Sequence, residues 1–352
     1  MASTLTSGYP WTKPPFIACA SMRLISLAPL AVAVSQAGGL GFIGAGSELS
    51  DLSNQLRHAQ SLLRDSSIES ATPGVLPVGV GFINWGADLD AAIDALKTYV
   101  PAAVWLFAPR ENADLEAWSR RIREATTGKT KIWVQIGTVG DALEVAKLCT
   151  PDVLVVQGAD AGGHGLERGG SIVSLLPEVH DALHAAGMRD ISLVAAGGIV
   201  EGRGVAAALA LGAEGVAMGT RFLASEEAQV AKGYQDDILR VSDGGVNTVR
   251  SKVYDRLRGT TGWPDHYDGR GIINESFMDA KNGEVTDSNR RDYEEALQKG
   301  DQGWGKNGRL TAYAGTGVGL VTKVLPARDI IEEIRRDVKE VRARIASSGS
   351  RL

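Results

Sequence analysis

KIWVQIG (131–137), DVLVVQG (152–158), ISLVAAGG (191–198) and GVAMGTRF (215–222) are short apolar runs separated by helix-like segments such as DALEVAKLC and GRGVAAALAL. Towards the N-terminus the series continues with PFIACAS (15–21), LGFIGAG (40–46), PVGVGFIN (77–84) and AAVWLFA (102–108). The runs are rich in β-branched residues and continuous rather than alternating, as strands buried on both faces of a parallel sheet are. Strand and helix alternate eight times between residues 15 and 225, which predicts an α/β chain folded as a (β/α)8 TIM barrel. An open doubly wound sheet is the second reading.

Beyond Phe222 the pattern breaks. Residues 227–309 are polar, rich in Asp, Asn, Arg and Gly, with scattered aromatics such as Trp263, Tyr267 and Trp304. Apolar content returns in TAYAGTGVGLVTKV (311–324). In the following ARDIIEEIRRDVKEVRARI, residues Ile330, Ile331, Ile334, Val338, Val341 and Ile345 mark one face of a closing amphipathic helix. The expected organisation is a barrel built from 1–226 plus 310–352, with 227–309 inserted as a smaller, partly helical subdomain over the barrel mouth.

Composition narrows the class. The 352 residues carry 37 Lys+Arg against 42 Asp+Glu, a net charge of −5, which disfavours a nucleic-acid partner. Cys19 and Cys149 lie in apolar runs and read as buried free thiols, and cysteine usage contains no zinc motif, so no metal is expected. The longest uncharged run, between Arg23 and Glu48, is interrupted by Pro29, Ser35, Gln36 and several glycines, so it predicts a buried helix and strand rather than a membrane span. No secretory signal opens the chain. The terminal Ser350-Arg351-Leu352 is a variant of the Ser-Lys-Leu peroxisomal address, leaving a peroxisomal or a cytoplasmic location open. Oligomeric state is not legible.

In a barrel of this type ligand groups come from the C-terminal ends of the strands, and phosphate is commonly held after strands 7 and 8. Those places read AAGGIVEGRG (195–204) and AMGTRF (217–222). Gly197 and Gly198 would let backbone approach a phosphate, and a helix beginning near Gly202 would aim its free N–H groups at it. Gly219 and Thr220 add an N–H and a hydroxyl, and Arg221 is either a phosphate ligand or a strand-end arginine paired with a carboxylate. QGADAGGHG (157–165) places His164 on a glycine-rich loop at the same end, where an imidazole can accept a proton or bind an anion.

Three other signals carry less. Gly39-Leu40-Gly41-Phe42-Ile43-Gly44 spells the dinucleotide fingerprint, but a helix precedes it and a strand runs through it, the reverse of what the fingerprint needs. His180 and His184 are four apart on a helix but have no third ligand, so a solvated face is expected. Asn274-Glu275-Ser276 is a glycosylation triplet without a secretory route.

Taken together, AVAVSQAGGLGFIGAG (31–46), GVGFINW (79–85), WVQIGTVGDALEVAK (133–147), VQGADAGGHG (156–165), LVAAGGI (193–199), GAEGVAMGTRFLAS (212–225) and AYAGTGVGL (312–320) resemble the nitronate monooxygenases. The combination of GGH, AAGGI and MGTRF is the specific part, and the resemblance spans about two-thirds of the chain. It implies an FMN-dependent barrel enzyme that oxidises alkyl nitronates, or nitroalkanes, with O2 to a carbonyl compound and nitrite. It puts the FMN phosphate at Gly197, Gly198, Gly219 and Thr220, with Met218 beside it. The flavin ring would lie near Ala20, Ser21, Met22, Asn84, Gln135, Gln157 and Gly163, with His164 as the active-site histidine and Tyr313 on the substrate side. Two departures stand out: Ala18-Cys19-Ala20-Ser21-Met22 replaces the family's common Gln-Gly-Pro-Met, and Thr316 follows Ala314-Gly315 where Gln is common. An enoyl-thioester reductase using NAD(P)H, and a non-redox barrel binding FMN or another phosphate ligand, remain the alternatives.

Overall fold

The computed structural model describes residues 4–349 apart from Asp65, Ser67 and Glu69, so the Ser350-Arg351-Leu352 tripeptide lies outside the described residues. Eight parallel strands close into a barrel, the (β/α)8 TIM fold. They are β1 (Phe16–Cys19), β2 (Leu40–Gly46), β3 (Val75–Ile83), β4 (Val100–Phe107), β5 (Lys131–Ile136), β6 (Val153–Gln157), β8 (Ser192–Ala196) and β9 (Gly215–Met218). Closure is made by β1 against β9, with Phe16 opposite Gly215 and Cys19 opposite Met218. Every intervening crossover carries a helix, as parallel strands require. Several of these helices start on a side-chain cap: Asp88 accepts from Ala91 N and Thr138 from Asp141 N, each replacing water at an otherwise unpaired N–H.

Of the fingerprint-like glycines, Gly41 and Gly44 lie in β2 and Gly39 just before it. A Cβ at Gly41 would overlap the backbone of Ala31, so glycine here serves close packing of strand on helix and not a phosphate. The final helix, Ala327–Gly349, lays Ile330, Ile331, Ile334 and Val338 against the barrel's outer layer. Its expected face ends earlier than the periodicity suggests: Ile345 is 64% exposed because the helix has run past the core there.

The end of the barrel where the strands begin is plugged from the N-terminal segment, which the strand pattern does not announce. Tyr9 and Trp11 pack with Phe16 and the fully buried Trp133, and Trp133 Nε1 donates to Tyr9 Oη at 2.7 Å. Tyr9→Phe strands that indole N–H, so a loss of about 1–3 kcal/mol is expected. The check is a urea titration of both forms. Because the plug sits at the stability end of the barrel, turnover should be unchanged, and a loss of activity without a loss of stability would refute the assignment.

Both cysteines are buried free thiols. Burial is the main cause that raises each thiol, Cys149 to about 11 and Cys19 further. Both therefore stay protonated at neutral pH, where thiolate is the reactive form. Ellman's reagent should label neither in the native protein and both after denaturation; fast native labelling would contradict the packing.

Residues 227–309 contribute the helices Lys232–Arg240, Val253–Arg258 and Asp287–Gln298 together with strands β10 (Thr248–Ser251) and β11 (Tyr267–Ile272). β10 and β11 form an antiparallel sheet whose third strand, β7 (Gly163–Leu166), comes from the loop after β6. The segment is thus tied by backbone pairing to the stretch that carries His164, and its strands were not foreseen from composition. The return segment joins the same layer through a bridge between Tyr313 and Gly271.

Candidate active site

A cavity of about 850 Å³ opens over the C-terminal ends of the strands, within the size range of cofactor and small-molecule sites, about 300–1,000 Å³. The stretch after β1 supplies Ala20, Ser21 and Met22, while Gln135 ends β5 and Gln157 ends β6. Gly163 and His164 come from β7, Gly197 and Gly198 follow β8, Gly219 and Thr220 follow β9, and Tyr313 comes from the return segment. The sequence-predicted residues therefore meet around one space, with two exceptions. Met218 is turned into the core between strand and helix and is 1% exposed. Asn84 stands just behind the cavity wall: its Oδ1 accepts from Phe107 N at 2.7 Å, and its Nδ2 is buried with no partner.

The glycine loops differ in kind. Gly197 (φ +104°) and Gly198 (φ +74°) are left-handed, and a Cβ on Gly197 would stand 2.8 Å from Gly158 O, so the turn itself demands glycine. Gly219 has an ordinary φ of −100°, and a Cβ there would meet nothing nearer than Met22 Sδ at 3.7 Å. In the first turn of the helix Gly202–Ala210, Glu201 takes one N–H group, accepting from Gly204 N at 3.2 Å. Arg221 does not line the cavity, and among the described residues it pairs with no carboxylate. It lies in a short helix after β9, buried, and donates to the carbonyls of Ala224 and Lys323. Thr220 Oγ1 accepts from Gly315 N at 3.0 Å and so pins the return segment to the barrel.

His164 is held from several sides. Gly163 (φ +69°) turns the chain into β7, which pairs His164 with Gly269 of β11. A side chain at 269 would come within 2.7 Å of Tyr313 Cε1 and 3.5 Å of the imidazole Nε2, so glycine makes room for both rings. The imidazole Nε2 lies 2.9 Å and 3.0 Å from the two carboxylate oxygens of Asp255. Thr260 Oγ1 donates to the same carboxylate at 2.7 Å and the Tyr313 hydroxyl at 3.4 Å. Burial first, and then the negative charge of Asp255, push the Tyr313 phenol well above its ordinary range, so it remains a donor. Trp263 stacks on the imidazole with 3.7 Å between ring centroids and 5° between planes. Behind this group Arg250 and Arg270 donate to Ala159 O, and Arg250 also reaches Ala161 O while paired with Asp268 at 2.9 Å. The two arginines clamp the loop that presents His164.

Asp255 and Arg258, the latter with its guanidinium 5.6 Å above the Tyr313 ring, were missed by sequence reasoning. Asp255 sits in a six-residue helix too short to show periodicity, 91 positions from the histidine it meets. Trp263 was visible only as one of several scattered aromatics. His180 and His184 stack on each other at 4.3 Å on the outer face, with Asp181 as the near carboxylate. Asn274 is buried and committed to Leu310 O and Phe277 N. Among the described residues no helix is long and apolar enough to cross a membrane.

Comparison with known proteins fits this arrangement. A family model described as nitronate monooxygenase matches residues 113–337. The chain is 49% identical over 341 residues to nitronate monooxygenase npaC of Metarhizium robertsii, covering 96% of this chain and 94% of that protein. The chain belongs to the nitronate monooxygenase family. A nitronate monooxygenase of Neurospora crassa is 40% identical over 96% of this chain and 92% of its own. Among solved structures, FabK from Thermotoga maritima superposes with a TM-score of 0.74 at 26% identity, covering 99% of both chains. As a nitronate monooxygenase family member the chain is an oxidoreductase, and the family is in general flavin-dependent.

Proposed function

We propose that this chain binds FMN in the barrel mouth and oxidises alkyl nitronates, or nitroalkanes, with O2 to a carbonyl compound and nitrite. The observation that carries the reading is His164, on the cavity wall with its imidazole bonded to Asp255 and facing the space where the strands end.

FMN is supported by the donors left over around that space. Trp85 Nε1 and Arg23 Nε belong to cavity-lining residues and are buried without a partner among the described residues, as is Asn84 Nδ2 beside them. Buried unpaired donors are uncommon in proteins, and a bound group is one way to satisfy them. Among the described residues, Gln135 spends only its Oε1, on Trp105 Nε1, and Gln157 only its Nε2, on His164 O. One amide thus keeps a donor and the other an acceptor for the polar edge of a flavin ring. Gly219 leaves room where a phosphate would approach. When bound, FMN supplies the electron acceptor for the nitronate and the route to O2. The chain's own residues bind and orient: His164 accepts a proton or holds the nitro oxygens, Tyr313 and Trp263 wall the space beside it, and the clamped 159–163 loop keeps these groups in register.

An anaerobic absorbance spectrum of the purified protein, before and after ethylnitronate, tests the reading. Flavin bands that change on addition are expected. Bands that ignore nitronate but are bleached by NAD(P)H would transfer the chain to the enoyl-thioester reductase alternative. No flavin band even after reconstitution with FMN would remove the phosphate-loop assignment. A peroxisomal address at Ser350-Arg351-Leu352 is likewise proposed, and deleting the tripeptide should abolish import of a fluorescent fusion.

A further inference from the structure

We infer that Asp255 is the positioning residue that makes His164 a base for neutral nitroalkanes, fixing the ring proton on Nε2 and leaving Nδ1 to accept the substrate's α-proton. The inference deepens the function proposed above and rests on it.

An ionised carboxylate has only acceptors to offer, so a bond from Nε2 to both oxygens, at 2.9 Å and 3.0 Å, puts the imidazole N–H on Nε2. The other nitrogen is then the acceptor. Among the described residues no hydrogen bond engages Nδ1, and His164 lines the cavity. The ring is not free to swap its nitrogens, because Trp263 lies flat on one face at 3.7 Å and Tyr313 flanks it at 5.3 Å. The carboxylate is fixed in turn by Thr260.

The charge arrangement points the same way. Asp255 has a side-chain exposure of 7%, and among the described residues His164 is its only ion-pair partner. When Nδ1 takes a proton, the positive charge that forms on the ring lies within 2.9 Å of that carboxylate. In that step the α C–H bond breaks and its electron pair becomes the C=N bond of the nitronate. The negative charge moves to the nitro oxygens and the proton to Nδ1, and no oxidant is consumed. A nitronate supplied ready-made skips the step. Asp255 should therefore matter for nitroalkanes and hardly for nitronates, an asymmetry that general damage to the site would not produce.

Holoenzyme carrying Asp255→Asn tests this with nitroethane and ethylnitronate side by side. The expected result is a fall of about 10²–10⁴-fold in kcat/KM for nitroethane, the usual weight of an oriented general base. Ethylnitronate turnover should stay within about threefold, less than 1 kcal/mol, with FMN content unchanged. The second readout does not depend on turnover. Two-bond 1H–15N spectra of histidine-labelled wild type should report His164 as the Nε2–H tautomer, and the variant as mixed, because an amide can donate to Nε2 as well as accept from it. Equal losses on the two substrates, unchanged nitroethane turnover, or a wild-type Nδ1–H tautomer would each overturn the inference. If wild type turns over neither substrate, the proposed function fails, while the spectrum still decides which nitrogen carries the proton.

Discussion

Gly219→Val is expected to fold normally and to lose FMN, its flavin content after gel filtration falling below a tenth of the wild-type value. Backbone strain would not be the cause, since φ is −100° at this position and any residue adopts it. Nor would a clash with protein, because an added Cβ meets only Met22 Sδ at 3.7 Å and Ala20 Cβ at 3.8 Å. The space a valine would fill is cavity, so the substitution costs nothing until a ligand needs that space. A tenfold weakening corresponds to about 1.4 kcal/mol, and a methyl group pressed against a phosphate exceeds that. Gly197→Val makes the contrast. There φ is +104° and a Cβ stands 2.8 Å from Gly158 O, so the turn itself would fail and thermal stability should drop together with flavin. The flavin-to-protein absorbance ratio and a melting curve for both variants decide the matter. A yellow, stoichiometric Gly219→Val protein would remove the phosphate site from this loop.

His164→Ala should keep FMN and lose nitroalkane oxidation by about 10²–10⁴-fold, the range expected when a positioned base is deleted. The imidazole makes its side-chain hydrogen bonds to Asp255, and that carboxylate retains Thr260 and Tyr313 when the ring is gone. The stability cost is therefore that of one charge-assisted bond, about 1–3 kcal/mol, and the barrel is untouched. Initial rates on nitroethane and ethylnitronate, with flavin content as the control, are the measurement. Full activity of the variant on both substrates would reduce His164 to a structural residue.

The two variants differ in how early their targets become visible. Gly219, Thr220, Gly197, Gly198 and His164 are legible as residues because a closed barrel puts every βα turn at one end, and eight buried runs are enough to announce the barrel. Their separate roles are not. Thr220 Oγ1 accepts from Gly315 N, Met218 faces the core, and Glu201 takes the Gly204 N–H in the first turn of the helix that begins at Gly202. Gly315 lies 95 positions from Thr220, and a contact over that distance is not encoded in spacing.

The barrel, the end at which its cavity opens and the loops that reach it are thus legible in the sequence alone, because those follow from the local periodicity of buried strands and from the position of glycines. How His164 is equipped depends on contacts made in three dimensions. β7 has to pair with β11 before Asp255, Thr260 and Trp263 come to the imidazole. Antiparallel pairing between segments about a hundred residues apart leaves no local pattern, since its register is set by packing on the barrel and not by the residues on either strand alone.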